Sequence, residues 1–149
     1  MNLKVLTLSK DDREEWEHLY IGYAEFYNMP MNNKILDTVW SWIFDETNKF
    51  HALIAKNDEG KILGLMHFRE TPSPIRGAVI GFLDDLYIYP EYRGQGVVDS
   101  LFSALNDFGK SRGWPFIRWI TADDNYRGRG FYDKIAQKTQ WLTYQKPVN

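Results

Sequence analysis

The chain has 149 residues, a net charge of −2 and no cysteine. This length is typical of one domain around one core, so we predict a single domain over residues 1–149. The slightly acidic balance disfavours a nucleic-acid partner, and the lack of cysteine excludes disulfides, thiolate catalysis and zinc bound by cysteine. His18, His51 and His67 lack the spacing of metal ligands, so we expect no metal. We expect no signal peptide and no membrane span, hence a cytoplasmic protein.

Hydrophobic periodicity predicts ten elements in the order β-α-α-β-β-β-α-β-α-β. Ser9 followed by Asp12 is typical of a capping box at the start of the first helix, and Pro30 disfavours helix just before it. Gly60 indicates a hairpin turn, and Thr71 to Pro74 indicates a loop. The predicted elements are a strand over 2–8, a helix over 9–27, a helix over 35–44, strands over 51–55, 61–69 and 78–89, a helix over 97–112, a strand over 116–121, a helix over 125–136 and a strand over 139–145.

Both kinds of strand pairing are expected in one sheet. A helix that crosses over between the strands at 78–89 and 116–121 implies parallel pairing, whereas the hairpin at Gly60 implies antiparallel pairing. We therefore predict an α/β protein of the α+β type, with a mixed sheet of about six to seven strands and helices on both faces.

The segment from Tyr89 to Val98 joins a long apolar strand to an amphipathic helix. Gly94 and Gly96 allow a tight turn and close approach to a ligand, and the helix start offers N–H groups and the positive end of a dipole. Arg93 adds a fork of donors suited to phosphate. The segment fits neither the Walker A pattern nor the dinucleotide fingerprint. We predict an anion site here, with a simple tight turn as the alternative.

Two motifs in the second half resemble those of a known family. The glycine loop after Leu-Tyr-Ile-Tyr-Pro resembles motif A of the GNAT superfamily of acyl-CoA N-acyltransferases, with Val98 at the family's last Gly or Ala. The run from Asn125 to Tyr132 resembles motif B, with Gly128 at the Ala position. The tail over 136–144 is similar to bacterial members of unassigned substrate. We therefore expect a bacterial GNAT protein.

The resemblance implies a GNAT fold and transfer of the acetyl group of acetyl-CoA to a primary amine by direct attack. In the family the loop N–H groups hold the coenzyme A pyrophosphate, and the coenzyme arm lies along the strand and contacts the asparagine. Tyr132 takes the place of the general acid, with a buried core tyrosine as the alternative. The implied cofactor-binding residues are Leu86, Tyr87, Ile88, Arg93, Gly94, Gln95, Gly96, Val97, Val98 and Asn125.

An acidic pair, Asp84 and Asp85, interrupts an apolar strand, where carboxylates are costly unless they are paired or functional. Alternation sends the two side chains to opposite faces unless a bulge intervenes. Polyamine-acetylating members carry a similar pair, which implies a base or an anchor for a cationic amine. The alternative is a salt bridge to one of three arginines, and the choice between the two aspartates stays open. These arginines are Arg76, Arg93 and Arg118.

The acceptor is expected to be a small cationic amine, such as a polyamine or an amino sugar. A protein lysine or N-terminus, and a non-catalytic module that binds acyl-CoA, are the alternatives. The family places the acceptor beside the first two helices, where aromatic faces can hold a cation. Their aromatic residues include Trp16, Tyr20, Tyr23, Phe26, Tyr27 and Trp40. The resemblance also allows a homodimer.

Overall fold

The computed structural model describes residues 2–149. The chain divides into two compact units, one that ends at Trp119 and one that spans Ile120–Asn149. The first unit contains β1 (Lys4–Thr7), α1 (Arg13–Phe26), α2 (Asn33–Phe44), β2 (Phe50–Lys56), β3 (Ile62–Ser73), β4 (Ala78–Ile88), α3 (Val97–Arg112) and β5 (Ile117–Trp119). The second unit contains α4 (Tyr126–Ile135). Within residues 2–149, no helix is both long and apolar enough to cross a bilayer.

The strands form one mixed sheet in the order β1-β2-β3-β4-β5. Antiparallel pairing joins β1 through β4, and β5 pairs with β4 in parallel after the α3 crossover. The mixed sheet and the α+β class are confirmed. The strand count is not, because the described residues form five strands instead of six to seven.

The predicted strand over 139–145 accounts for part of this difference. This part of the second unit forms neither helix nor strand, and Trp141, Leu142 and Tyr144 are 76%, 78% and 89% exposed. Alternating side chains favour a strand only where a second edge accepts the backbone hydrogen bonds. The tail lacks such a ladder, so its alternation does not produce a strand.

β3 is longer than predicted and runs through Thr71 and Pro72, which had indicated a loop. β2 begins opposite Arg69, at Phe50, so the last residues of β3 pair with β4 alone. Proline is tolerated at such an edge because no neighbour needs its missing N–H. The turn follows at Pro74–Arg76 and is closed by Gly77, whose φ is 61°.

Apolar clusters cover both faces of the sheet. The face under α3 buries Phe68 and Leu101, and the face under α1 and α2 buries Trp16 and Leu19, all with no exposed surface. Each such side chain stabilises the fold by roughly 1.5–3 kcal/mol relative to an exposed one. β4 therefore lies between two packed layers, with α1 on one side and α3 on the other.

The helix ends agree well with the local sequence signals. α3 spans the predicted residues, between Gly96 with a φ of 87° and Gly113 with a φ of 74°. The capping box before α1 is confirmed, because the Ser9 N–H donates to Asp12 Oδ2 at 2.8 Å. These capping residues fix where α1 and α3 begin and end beside β4.

Candidate active site

A β-bulge in β4 positions the acidic pair. His67 of β3 pairs with Asp85, and the next residue of β3 pairs with Leu83, so Asp84 is an extra residue in the ladder. Leu83 and Leu86 both pack against the cluster under α3, whereas Asp85 contacts α1. The bulge therefore intervenes in the way that the sequence left open, and the two carboxylates do not simply alternate between faces.

Asp85 lies in a hydrogen-bonded network between β3 and α1. Its Oδ2 accepts a hydrogen bond from the Tyr20 hydroxyl at 2.9 Å and lies 2.9 Å from His67 Nδ1. Tyr23 of α1 also helps to lower the pKa of this carboxylate. Burial alone would raise the pKa of Asp85, but the bonds from His67 and the two tyrosines hold it below its usual value. Asp85 is therefore ionised at neutral pH.

The tyrosines that contact Asp85 keep their protons. Burial, together with the charge of Asp85, raises the pKa of both Tyr20 and Tyr23 well above the usual range. Their rings are also neighbours on α1, with centroids 5.7 Å apart. The Tyr20 hydroxyl therefore acts as a permanent hydrogen-bond donor to the carboxylate.

Asp84 has the opposite electrostatic environment. Burial raises its pKa, and the charge of Asp85 raises it further, whereas Arg69 opposes both effects. Arg69 Nε lies 3.2 Å from Asp84 Oδ2, but the two groups are misaligned and this buried oxygen makes no hydrogen bond to the described residues. Asp84 is therefore the member of the pair that binds a proton more readily.

The arginine beside Asp84 is not one of the three that the sequence suggested. The guanidinium groups of Arg76 and Arg118 lie over the ring of Phe116, at 4.9 and 5.1 Å from its centroid. Arg93 donates elsewhere, to the Ile88 carbonyl. Asp84 does lie in a salt bridge, but its partner is Arg69, which the sequence analysis did not consider, so the three predicted partners were wrong.

The glycine loop opens directly onto the start of α3. Gly94 and Gly96 have φ values of 76° and 87°, and a Cβ at either position would meet no atom within 4 Å. The Ser100 N–H donates to the Gly96 carbonyl at 3.1 Å and begins the helical pattern. The N–H groups of Val97 and Val98 precede this bond, so they have no partner inside the helix. The loop therefore has the geometry of an anion site.

The two valines of this loop are turned into the molecule. Val97 is 1% exposed, and Val98 packs against the apolar cluster under α3. Gln95 is fixed by its side chain, which donates to the Glu91 carbonyl at 3.0 Å. The valine that replaces the family's small residue is accommodated by the core.

Arg93 braces the loop against α1 and the end of β4. Its Nε donates to the Ile88 carbonyl at 3.0 Å, and its guanidinium carbon lies 5.4 Å from the ring centroids of both Phe26 and Tyr87. These contacts give Arg93 a structural role. A direct contact of Arg93 with phosphate stays a prediction.

The second half of β4 has an open edge. β5 pairs with β4 only opposite Gly81 to Leu83, and within residues 2–149 no other strand pairs on that side. The main chain from Leu86 to Ile88 therefore presents hydrogen-bonding groups at this edge, as a strand does when an extended ligand is added to a sheet.

The remaining predicted residues lie in the second unit. Asn125 caps α4, since its Oδ1 accepts from the Gly128 N–H at 3.3 Å and its Nδ2 donates to Thr121 Oγ1 at 2.9 Å. A Cβ on Gly128 would lie 2.5 Å from the Asn125 amide nitrogen, so glycine leaves room for this cap. Tyr132 is half-buried on α4. The roles of Asn125 at the coenzyme arm and of Tyr132 as general acid stay predictions.

Sequence reasoning missed His67, which lies at the centre of the network. The sequence analysis considered the histidines only as metal ligands. One signal was present, because His67 is the single polar side chain in the otherwise apolar run from Ile62 to Phe68. A buried polar group is costly unless it is hydrogen-bonded, so such a residue predicts a partner on a neighbouring element.

Comparisons with known proteins identify the family of the chain. The model of the acetyltransferase (GNAT) family matches residues 9–136. The chain is 25% identical over 143 residues to the D-amino-acid N-acetyltransferase HPA3 of Saccharomyces cerevisiae, covering 95% of this chain and 89% of that protein. It is also 25% identical over 150 residues to a thialysine N-epsilon-acetyltransferase of Caenorhabditis elegans, covering 97% and 91%.

A solved structure supports the fold. A ribosomal-protein-alanine N-acetyltransferase from Brucella melitensis biovar Abortus 2308 has a TM-score of 0.84 at 24% identity, covering 99% of this chain and 100% of that one. The relatives named here come from yeast, nematode and bacteria, so the bacterial origin expected for the chain stays a prediction. The family match covers most of the sequence, and the chain belongs to the GNAT family of N-acetyltransferases, which use acetyl-CoA as co-substrate.

Proposed function

We propose that the protein acetylates the primary amine of a small cationic molecule, with Asp84 as the general base and Tyr132 as the general acid. The observation that carries this proposal is the acidic pair at the bulge, whose two members have opposite pKa shifts. Neighbouring groups whose pKa values are pushed apart mark the sites of acid and base chemistry. The role of Tyr132 rests on its motif.

The residues of the first unit fit acetyl-CoA as the donor. The loop from Gly94 to Val98 offers N–H groups that suit a pyrophosphate, and the open edge of β4 suits the amide groups of the coenzyme arm. Acetyl-CoA supplies an activated acetyl thioester. The chain itself supplies the binding groups, the base and the acid.

The chemistry of the acceptor side favours a positively charged ligand. Asp85 is ionised, and its partners Tyr20, Tyr23 and His67 are all hydrogen-bond donors on aromatic or heteroaromatic rings. Aromatic faces and an uncompensated carboxylate both stabilise an ammonium group. The names of the two relatives specify D-amino acids and thialysine as acceptors, and we place these amines beside polyamines and amino sugars as candidates here.

Direct attack of the amine is the reaction that these residues support. Asp84 accepts the proton that the ammonium group must lose before its nitrogen can attack. The new C–N bond forms as the C–S bond breaks, Tyr132 donates its proton to the departing sulfur, and the second proton that the nitrogen releases returns to Tyr132. Because the chain has no cysteine, an acetyl-cysteine intermediate on the protein is excluded.

The test measures release of free coenzyme A thiol with each candidate amine in turn. Asp84→Asn and Tyr132→Phe are each expected to lower kcat by roughly 10²–10⁴, the range typical of a general base or acid. Asp107→Asn and Tyr144→Phe are matched controls, because both residues are exposed on the surface, and they should retain wild-type rates. A loss under about threefold in either site variant would remove that residue from the proposed reaction.

A second arm tests the coenzyme site separately. Gly96 and Gly113 bracket α3 with similar positive φ values, and a Cβ at either position would meet nothing within 4 Å. Alanine should therefore cost a similar roughly 1–2 kcal/mol of stability at both positions. Only Gly96→Ala should also weaken acetyl-CoA binding, measured as a smaller rise in Tm on adding acetyl-CoA. Equal effects of both variants would place the coenzyme elsewhere, and binding without turnover of any amine would favour a non-catalytic module.

A further inference from the structure

A buried chain of hydrogen bonds links α1 to the acidic pair through β3. Trp16 Nε1 donates to His67 Nε2 at 3.0 Å, and His67 Nδ1 lies 2.9 Å from Asp85 Oδ2. Trp16 and His67 have no exposed surface. Neither residue reaches the surface on which an acceptor would lie, and their hydrogen-bonded connection to the acidic pair is Asp85.

The identity of the partners fixes where the imidazole proton lies. The indole nitrogen of Trp16 is a donor only, so His67 Nε2 must accept and cannot itself carry a proton. The neutral ring then carries its proton on Nδ1, which points at Asp85. Trp16 therefore selects the one neutral tautomer of His67 that donates to the carboxylate.

This arrangement determines how a proton is shared between the two aspartates. Asp85 Oδ2 receives hydrogen bonds from His67 and Tyr20. These donors stabilise the ionised form of Asp85. Asp84 has a misaligned Arg69 as its partner, and it lies close enough to feel the charge of Asp85.

We propose that His67 is a positioning residue for the acetyl transfer: held by Trp16 as the Nδ1–H tautomer, it keeps Asp85 ionised and oriented, so that Asp84 takes up the proton of the acceptor amine. The inference rests on the proposed function, since it assigns the base role to Asp84. The groups that face the pair are His67 and Arg69 from β3 and the two tyrosines from α1. Of these, His67 is the one whose donor atom is chosen by a further residue.

The first experiment reads the tautomer directly in the wild-type protein. Nitrogen-15 NMR of the histidine side chains should show a protonated Nδ1 and an unprotonated Nε2 for His67, assigned by comparison with His67→Asn. No substrate is needed, so this result does not depend on the reaction. A ring protonated at Nε2 would overturn the inference.

The second experiment removes the tryptophan donor and keeps the aromatic ring. Trp16→Phe should lower kcat/KM for the amine by about ten- to a hundredfold, the loss expected for a hydrogen bond that supports a charged group. The acid limb of the pH–rate profile should move toward higher pH, because an Asp85 with a weaker set of donors takes up a proton at higher pH and loses the charge that the reaction needs. The KM for acetyl-CoA should stay unchanged.

Trp114 offers a matched control elsewhere in the first unit. Its Nε1 donates to a buried carboxylate, Glu70 Oε2, at 3.4 Å, and Trp114 itself is 9% exposed. Trp114→Phe removes the same donor from the same kind of residue and should leave the pH–rate profile unchanged. If Trp16→Phe matched Trp114→Phe in rate and profile, His67 would have a structural role only.

Rescue by side-chain shape completes the test. His67→Asn keeps an N–H donor close to the position of Nδ1, whereas His67→Leu removes it, so the asparagine variant should retain at least tenfold more activity. Equal activity in the two variants would overturn the inference. If the wild-type protein acetylated no amine, the proposed function would fail and the inference with it, whereas turnover with an unshifted profile in Trp16→Phe would overturn the inference alone.

Discussion

Two buried carboxylates of the sheet, Asp85 and Glu70, have similar neighbours but opposite charge balance. Glu70 Oε1 lies 2.9 Å from His51 Nε2 and 3.2 Å from Arg112 Nη1, and the Trp114 indole donates to its other oxygen. At Asp85 the tryptophan donates to the histidine instead, and tyrosines take the place of the arginine. Each centre thus combines a carboxylate with a histidine and a tryptophan.

Only the Glu70 centre contains an arginine, and this difference distinguishes a structural carboxylate from a candidate binding group. The charge of Glu70 is matched by Arg112 of α3, so the group ties this helix to β3 and is electrically satisfied. Asp85 is held by Tyr20 and His67, and it pairs with no arginine or lysine of residues 2–149. A buried carboxylate without a cationic partner is thus a better candidate for a binding group than one with a complete ion pair.

The largest expected effect is on catalysis and distinguishes the two centres. Under the proposed function, Asp85→Asn removes the charge that orients the acceptor and tunes Asp84, and we expect kcat/KM to fall by about a hundredfold, as for loss of a charge-assisted bond of up to 3 kcal/mol. Glu70→Gln should stay within about threefold of wild type in the same thiol-release assay. Equal losses in both variants would break the comparison, because both carboxylates would then support the fold alone.

The next effect is on stability and concerns pH. Burial alone would raise the pKa of Glu70, but the bonds from His51 and Trp114 and the charge of Arg112 hold it below its usual value of 4.5. The stabilisation is therefore present above this value and is lost as pH falls through the lowered pKa. Glu70→Gln should cost on the order of 1 kcal/mol in urea unfolding at neutral pH, a low figure because Arg112 is half-exposed. The difference from wild type should shrink as pH falls below 4.5 and through the lowered pKa, and a difference that grew there would contradict the assignment.

The smallest effect concerns Asp84 and has the opposite sign. Burial raises the pKa of Asp84, so the folded protein binds this proton more tightly than the unfolded chain, and stability falls as pH rises above the ordinary value. Asp84→Asn removes an ionisation that burial opposes. We expect its Tm at neutral pH to equal or exceed that of wild type, while Asp85→Asn melts lower. A lower Tm for Asp84→Asn would show that its pairing with Arg69 outweighs the burial.

Local signals predicted the fold correctly where a single residue type determines the backbone conformation. Gly96 and Gly113 adopt positive φ, and both ends of α3 agree with the prediction. The strand predicted over 139–145 was wrong for the converse reason. Alternating side chains around Trp141 favour a strand, but a strand forms only where a partner strand pairs with it. Pro72 misled in the same way, because its tolerance depends on the pairing of β2 with β3 reaching only as far as Arg69.

The candidate site was predictable in its members more than in its arrangement. The acidic pair and the glycine loop were both found from residue type and position. The bulge was not, because a bulge is a property of two strands, and only the pairing of His67 with Asp85 reveals the extra residue. The choice between Asp84 and Asp85 depends on that pairing, and so does the part played by His67.

The bulge at Asp84 also bears on how such an enzyme can change its specificity. One inserted residue resets the alternation of β4, so Leu83 and Leu86 stay in phase under α3 while the residues between them face a different environment. Substitutions at Asp84 and Asp85 can therefore change the charge of the candidate site without repacking the apolar layer under α3. The bulge thus separates the residues of the candidate site, which can change, from the apolar layer under α3, which must be kept for the fold.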